Sequence, residues 1–286
     1  MYDATAIPVD LGSAPTMQRA KGVARISYKT VDTQTRLDNL FQSGCAKVRL
    51  PRVYDSVPTA VLINTAGGIT GGDSLNYQIK LAAHCSAVVA TQTAERAYRR
   101  TSGIGEIKTD LTVQEGGKLD WLPQEAILFE KSALSRKMTV NLNGNAEFLG
   151  VESVVLGRTA MGETVEDIYF KDSWRIFRNE KLAFADDILL EGDLDKRLGG
   201  SATARGKRAF ATVVHAAPDC AEKIDFARNT LTQLTEENAD LSVAVSTWND
   251  VLVARFLATD GRSMRSALMT FLENYRSAVL PRVWHC

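Results

Sequence analysis

Short stretches in which apolar and polar residues alternate recur along most of this chain, and turn residues separate them. The stretches 75–81, 107–113 and 138–142 show the pattern most clearly. Successive side chains of a strand point to opposite faces of a sheet, so each stretch predicts a strand with one buried face. Helical spacing is scarce before residue 209. The sequence therefore predicts a mainly β protein built from many short strands.

Turn and helix signals refine this prediction. Asn143-Gly144-Asn145 predicts a hairpin turn. The segment 191–205 is rich in Gly, Asp, Lys and Arg, which predicts a mobile loop. The spacing in 218–234 and an apolar stripe after Asp260-Gly261 predict one or two helices in the C-terminal third. The stripe consists of Met264, Leu268, Phe271, Leu272 and Tyr275. Such a stripe usually packs on a core, and a partner-binding face is the alternative.

The length of 286 residues suits one large domain or two small ones. Residues 1–20 are predicted to form a flexible lead-in, since small and polar residues are scattered through them. Residues 21–286 are then expected to form a single β-rich domain. From about residue 209 onward this domain is expected to have an α+β character.

Charge and cysteine content narrow the function classes. The 34 basic and 34 acidic residues cancel, which argues against binding of nucleic acid or of an anionic membrane as the main task. No apolar run approaches the roughly 18 residues that a membrane span needs. The four cysteines form no Cys-x-x-Cys pair, and the first sixteen residues lack the features of a secretory signal. We therefore expect a cytoplasmic protein.

The segment 64–73 is an unusual glycine loop between two predicted strands. Its four glycines are Gly67, Gly68, Gly71 and Gly72, and Asp73 closes it. Glycine permits backbone paths closed to other residues, so these four are expected to shape the loop. A phosphate-binding loop would need a Lys-Ser or Lys-Thr pair here, and a dinucleotide fingerprint would need a following helix. Nucleotide binding is therefore disfavoured, and a tight hairpin without any ligand remains an alternative.

No motif identifies a catalytic centre. The sequence contains only His84, His215 and His285, without a paired-histidine motif or a nucleophile elbow. Two other classes remain open. One is a hydrolase or lyase that uses Asp73 and Glu125 as acid and base, and the other is a carbohydrate-binding or peptide-binding β module.

Several polar motifs occur in a fixed order beside structural glycines, and together they resemble the urease accessory protein family UreD, called UreH in some lineages. The segments that carry the resemblance are 67–73, 91–99, 119–125, 156–158 with 161–163, 174–176 and 281–284. They extend over most of the chain from about Gly22 to its end. An ordered series of motifs is much more specific than a single glycine-rich loop.

The resemblance implies a non-enzymatic cytoplasmic scaffold for urease maturation. It implies strands stacked in a β-helical or sandwich-like body with a few helices. It also implies binding to a helical accessory protein, UreF, which recruits the GTPase UreG. The assembly would dock on apo-urease and assist GTP-dependent insertion of nickel into its active site.

On this interpretation the functional polar set lines a metal path or contacts partners. Its members are Asp73, Glu95, Gln124, Glu125, Arg158 and Glu163. The alternative for each is a buried group satisfied by neighbouring backbone. No tight metal site and no tightly bound cofactor are expected, because the few histidines are dispersed, and Ni²⁺ would bind only transiently. We also expect Tyr275 and Trp284 to be aromatic anchors exposed to a partner.

Overall fold

Two β-sheets and a layer of helices make up this protein in a computed structural model, which describes residues 18–52, 57–157 and 165–285. Within these residues the strands are β1 (Lys21–Val31), β2 (Gln34–Gly44), β3 (Ala46–Arg49), β4 (Thr59–Asn64), β5 (Ser74–Leu81), β6 (Ser86–Thr91), β7 (Glu95–Ala97), β8 (Gly105–Val113), β9 (Lys118–Leu122), β10 (Ala126–Leu128), β11 (Ala133–Leu142), β12 (Glu147–Leu156), β13 (Asp167–Arg178), β14 (Lys181–Asp193), β15 (Ala209–Ala216), β16 (Ser242–Trp248) and β17 (Val251–Ala258). The helices are α1 (Leu194–Leu198), α2 (Ile224–Glu237) and α3 (Gly261–Arg276), with 3₁₀ turns at Cys220–Lys223 and Arg282–His285.

Between β4 and β13 the chain winds as a solenoid, because each coil passes from one sheet to the other and back. The first sheet has the order β14-β13-β11-β8-β5-β1-β2, and the second has the order β16-β17-β15-β12-β9-β6-β4-β3. Strands β5, β8, β11 and β13 are parallel neighbours in the first sheet. Strands β4, β6, β9 and β12 are parallel neighbours in the second. The prediction of a mainly β fold with stacked strands and C-terminal helices is confirmed.

Parallel pairing places equivalent residues of successive coils in register. Tyr77 lies opposite Thr109, which lies opposite Met138, which lies opposite Trp174. All four side chains are buried between the two sheets. The parallel strands of the first sheet bury mainly one face, and the space between the sheets is the first of two cores.

The second core lies between the second sheet and the helices. Helix α3 begins at Asp260, whose Oδ1 accepts a hydrogen bond of 2.8 Å from the Ser263 amide, and such a cap stabilises a helix start by about 1 kcal/mol. Its apolar stripe packs on the sheet, with the rings of Phe271 and Phe256 5.5 Å apart. Tyr275 and Trp284 are only 8% and 1% exposed. The expectation that they are exposed anchors is therefore wrong, because both complete this core.

Three local predictions need correction. The segment 191–205 is not simply a loop, since β14 continues to Asp193 and α1 follows; Leu194 is fully buried and anchors it. The turn at Asn143-Gly144-Asn145 and the glycine loop are not hairpins, because each joins strands of different sheets. Alternating strands and turn residues look the same in a hairpin and in a solenoid coil.

No helix of the described residues is long and apolar enough to cross a membrane.

The glycine loop provides a test of the fold. A Cβ atom on Gly71 would lie 2.1 Å from the Ser102 carbonyl oxygen, whereas a Cβ on Gly67 would meet nothing within 4 Å. We expect Gly71→Ala to lower the free energy of unfolding by about 1–3 kcal/mol, the cost of overpacking against rigid atoms. Gly67 has a φ of +76°, which strains an alanine even in open space, so Gly200→Ala is the control; its Cβ would meet only the Thr203 hydroxyl oxygen at 3.4 Å, and the substitution should cost less. Urea unfolding of both variants measures the difference, and an equal or smaller loss for Gly71→Ala would contradict the loop geometry.

Candidate functional site

The polar sequence motifs meet along one corner of the solenoid. The amide of Ile69 in the glycine loop donates to the Arg96 carbonyl (2.8 Å), and the amide of Glu95 donates to the Glu125 carbonyl (2.9 Å). One coil further, the amide of Gly157 donates to the Leu128 carbonyl (2.8 Å). Four segments far apart in sequence are therefore stacked directly on one another. We call them the corner segments and define them as 64–73, 91–100, 121–132 and 156–157.

Asp73 fastens the glycine loop to the start of β1. One of its carboxylate oxygens accepts a hydrogen bond from the Ala20 amide (2.7 Å), and the other accepts one from the Thr70 amide (2.9 Å). The residue is buried. Because both oxygens already have backbone donors, this geometry favours a structural role for Asp73.

Glu95 lies on the next corner segment and faces inward. Both of its carboxylate oxygens lie 3.2 Å from the Asn64 side-chain amide nitrogen, which donates to them. Asn64 also donates to the Gly68 carbonyl, which links Glu95 to the glycine loop. Burial raises the pKa of Glu95 to about 7, although the bonds from Asn64 and from the Arg96 amide oppose the rise. Glu95 therefore changes its charge close to neutral pH.

Gln124 and Glu125 join the third corner segment to the C-terminal part of the chain. The Gln124 side-chain nitrogen donates to the carbonyls of Gln92 (2.8 Å) and Val283 (3.0 Å). Arg265 on α3 donates to the Gln124 side-chain oxygen (2.9 Å) and the Glu125 carboxylate (3.1 Å). Its guanidinium also lies over the Trp284 ring at 5.3 Å. These contacts hold together two motifs that are distant in sequence, 119–125 and 281–284.

A charged centre lies between the sheets and consists of Arg136, Glu152 and Asp172. The two terminal nitrogens of Arg136 on β11 lie 2.5 Å from the carboxylates of Glu152 on β12 and Asp172 on β13. The Trp121 indole nitrogen donates to the other Glu152 oxygen at 3.0 Å. The Arg136 guanidinium also covers the ring of Phe170 at 5.2 Å. All three charged side chains are at most 14% exposed.

The electrostatics of this centre are dominated by burial. Burial raises the pKa of Glu152, and the attraction of Arg136 opposes that rise. Burial lowers the pKa of Arg136, but the two carboxylates outweigh it and the net direction is upward. With two carboxylates and one guanidinium the centre keeps a net negative charge when it is ionised. Such a charge inside a dry core attracts a cation more strongly than it would in water.

Small cavities lie between the corner and the charged centre. A cavity of about 50 Å³ at the corner is lined by Asn64, Tyr77, Thr91 and Glu95. A second cavity of about 50 Å³ shares Tyr77, Thr91 and Glu95 with it and reaches the charged centre. Each has room for a few water molecules. A third, smaller space beside the centre reaches Asp186 on β14, which pairs with Arg255 at 2.9 Å. We call Glu95, Arg136, Glu152, Asp172 and Asp186 the interior row.

The sequence analysis named Glu95 as a candidate but did not name the other members of the interior row. Arg136 stands in phase with Leu134 and Met138, and Asp172 stands in phase with Phe170 and Trp174. A charged residue at an inward position of an alternating strand is the signal that could have found them. It is a weak signal, since strand alternation often breaks for other reasons.

The remaining candidates are placed as follows. Arg158 and Glu163 lie outside the described residues. Asp73 and Glu125 have separate partners, so the structure does not bring them together as an acid and base pair. In the part of the chain that the structure describes, no three His, Cys, Asp or Glu side chains come together to hold a metal ion. His215 is itself occupied, with its Nδ1 atom 2.9 Å from the Tyr275 hydroxyl, and burial lowers its pKa to about 4.

Comparisons with known proteins give a consistent result. A family model described as UreD urease accessory protein matches residues 20–285. A "Urease accessory protein UreD" of Chelativorans sp. (strain BNC1) is 42% identical over 276 residues, which cover 96% of this chain and 97% of the relative. A protein of the same name from Dinoroseobacter shibae is 43% identical, covering 95% of this chain and 94% of the relative. One from Sinorhizobium medicae is 39% identical, covering 96% and 99%.

Removal of Arg136 tests the charged centre. Arg136→Met leaves two buried carboxylates without their cation, and breaking a buried ion pair in this way costs about 3–5 kcal/mol. The matched control is Arg175→Met, whose pair with Asp187 is partly exposed and should contribute less than about 1 kcal/mol. Chemical denaturation of both variants checks the difference.

The pH dependence of the Arg136→Met variant gives a second readout. Its carboxylates should have folded pKa values above the unfolded ones, so their ionisation opposes folding. The variant should therefore regain stability as the pH falls through the raised pKa values. Equal losses for Arg136→Met and Arg175→Met, with no recovery at lower pH, would contradict a buried centre.

Proposed function

The chain belongs to the UreD urease accessory protein family and has a role in urease maturation; from the site described above, we propose that its interior row guides nickel ions toward apo-urease. The observation that carries the proposal is the row itself. Four carboxylates run between the sheets from Glu95 to Asp186, with small cavities along them. Arg136 lies among them, and Arg255 pairs with Asp186 at the end of the row. A single cation entering this space gains attraction at each step.

The row suits passage better than storage. Arg136 already neutralises one of the carboxylates beside it, and no three potential ligands converge in the described residues. Nickel prefers imidazole and thiolate donors over isolated carboxylates. A conduit must let the ion leave as well as enter. Weak, successive oxygen contacts meet that requirement.

The assembly partners belong to the same proposal. We propose that the protein binds apo-urease and a UreF-type accessory protein in the cytoplasm, and that a UreG-type GTPase joins through the UreF-type protein. Hydrolysis of GTP would then take place in the partner. Exposed apolar side chains on the edge strands support protein contacts, since such residues favour interfaces. They include Leu37 and Phe41 on β2 and Leu182 and Leu189 on β14.

A catalytic role for the chain itself is not supported. Members of the family are named as accessory proteins, in agreement with the prediction that the chain is not an enzyme. Asp73 is held by two backbone amides and Glu125 by Arg265. Both carboxylates are therefore engaged by other groups, whereas an acid and base pair must face one substrate.

Glu95 provides the first test of the row. Glu95→Gln removes its charge at nearly constant shape, so urease activation at limiting nickel should fall severalfold while the accessory complex still assembles. Because burial raises the pKa of Glu95 to about 7, activation by the wild-type protein should decline as the pH drops below that value. Activation by the Glu95→Gln variant should not show this decline. Urease activity after reconstitution with purified components at several pH values provides the measurement.

Two controls separate this result from misfolding. Glu236→Gln changes an exposed carboxylate on α2 and should leave activation unchanged. The folded pKa of Glu95, about 7, lies above its unfolded value, so its ionisation costs stability as the pH rises between the two values, and the cost is fully present above about pH 7. Glu95→Gln should therefore be no less stable than the wild type at alkaline pH. Normal urease activation by the Glu95→Gln variant would show that Glu95 is not part of the nickel path.

Nickel affinity provides the second test. The protein alone should bind Ni²⁺ with a dissociation constant of roughly micromolar or weaker, which corresponds to about 8 kcal/mol or less. The physical reason is the dispersed donor set, in which His215 is already engaged by Tyr275. Equilibrium dialysis of untagged protein gives the constant. A nanomolar site would replace the conduit with a nickel-storing chaperone.

A further inference from the structure

Four arginines surround an exposed tyrosine on the outside of the solenoid corner. Arg96, Arg99 and Arg100 are exposed, and their closeness in sequence keeps their Cα atoms within about 15 Å. The Arg19 side chain covers Gly72, with its Nε atom 3.1 Å from the position of a Cβ there. Arg100 reaches the same place, since its guanidinium donates to the Gly103 carbonyl (3.2 Å) beside Gly72. We call these four residues the arginine ridge.

The positive charge of the ridge is offset only in part within the described structure, by the attraction between Arg96 and Glu95. None of its four guanidinium groups forms an ion pair with a carboxylate of the described residues, whereas Arg265 and Arg276 each do. The neighbouring Asp73 is buried and Glu95 faces inward, where each is held by amide donors. Exposed Glu106 lies at the margin, and on the next coil Glu130 approaches Lys131 at 4.0 Å. The whole chain has no net charge, so this surplus is a local feature.

Tyr98 is fixed at the centre of the ridge. Its ring is 42% exposed, and its inner side rests on Phe129, with centroids 5.2 Å apart. A Cβ atom on Gly68 would lie 2.2 Å from the Tyr98 ring. Glycine at position 68 is therefore what allows the ring to lie flat over the loop. Exposed tyrosine and arginine are the residues that most often dominate protein interfaces.

The backbone under the ridge is already ordered. The Tyr98 amide donates to the Ile69 carbonyl (2.8 Å), and the Arg100 amide donates to the Lys131 carbonyl (3.0 Å). A surface that is rigid before binding loses little conformational entropy when a partner docks. Guanidinium groups also bind carboxylates through two parallel hydrogen bonds. Chemistry and rigidity both suit an acidic partner.

We propose that the arginine ridge and Tyr98 form a docking surface for a carboxylate-rich segment of a protein partner in urease maturation. The inference rests on the proposed function, because it takes the partner from that assembly. Nucleic acid is the less suitable occupant, since the ridge is a single cluster and offers no extended basic groove for a phosphate backbone. The site lies on the outer side of the corner and adjoins the interior row at Arg96, which also lines the corner cavity that contains Glu95.

Charge reversal tests the docking surface. The Arg96→Glu/Arg99→Glu variant should bind apo-urease or the UreF-type protein roughly tenfold or more weakly, because opposed charges become like charges. Arg49→Glu/Arg262→Glu is the matched control, with the same charge change at two exposed arginines elsewhere, and it should bind within about twofold of the wild type. Binding is measured with each immobilised partner, at low and high salt, after thermal unfolding has shown that both variants are folded. Wild-type affinity should fall with salt more steeply than that of the ridge variant.

Several outcomes would overturn the inference. Unchanged binding of the ridge variant to both partners would show that the ridge is not a docking surface, and it would leave the proposed function intact. Failure of the wild type to bind either partner would instead count against the proposed function itself. Ridge-dependent binding of a homopolymer RNA without protein binding would assign the surface to nucleic acid. Partner binding that appears only after removal of residues 1–17 would assign it to the chain's own N-terminal segment, which carries Asp3 and Asp10.

Discussion

Parallel stacking of the coils is the constraint on which the rest of this structure depends. In-register pairing places each inward residue directly beside its equivalent on the next coil. Ile107 on β8, for example, lies between Leu75 on β5 and Arg136 on β11, and Arg136 lies beside Asp172 on β13. A polar group at one inward position is therefore brought into contact with polar groups of neighbouring coils. The interior row is a consequence of this arrangement rather than of any local sequence motif.

The same stacking explains the position of the motifs. Each corner segment offers backbone donors and acceptors that only another corner segment can satisfy, and buried backbone groups are rarely left unpaired. The glycine loop ends the stack, which places Tyr98 and three arginines at its outer surface and Glu95 at its inner surface. The inner surface of the corner is therefore acidic, and its outer surface is basic and aromatic. We relate the inner surface to passage of nickel and the outer surface to binding of a protein partner.

Burial of charge inside a β core is costly, and this cost argues for a functional reason. An ion pair in a dry core often contributes less to stability than apolar residues of similar volume. Arg136 and its two carboxylates are nevertheless supported by hydrogen bonds from Trp121 and by the ring of Phe170. The Arg136 Nε atom is buried without a hydrogen-bond partner, so the centre is negative but not completely satisfied, and it offers a cation attraction without a closed ligand cage. This combination is what transient binding requires.

The sequence predicted the strands and the C-terminal helices because period-two and 3.6-residue patterns are local. It did not predict the sheet assignment, since the turn at 143–145 has the same residues whether it closes a hairpin or a coil. Glu95 was found beside a motif, whereas Arg136 and Asp172 were missed because their partners come from other coils. Trp284 was misplaced because its burial depends on the sheet and on Arg265. Arg158 and Glu163 stay predictions.

Blocking the row without changing its charge tests the central claim most directly. Thr109 lines the cavity between Glu95 and the charged centre and is 4% exposed. Thr109→Phe fills that space, and Thr109→Val is the control that keeps its volume. The nickel content of urease should be measured after reconstitution with each variant in an assembled accessory complex. The account predicts little nickel with Thr109→Phe and normal nickel with Thr109→Val, and full nickel loading through the filled cavity would contradict it.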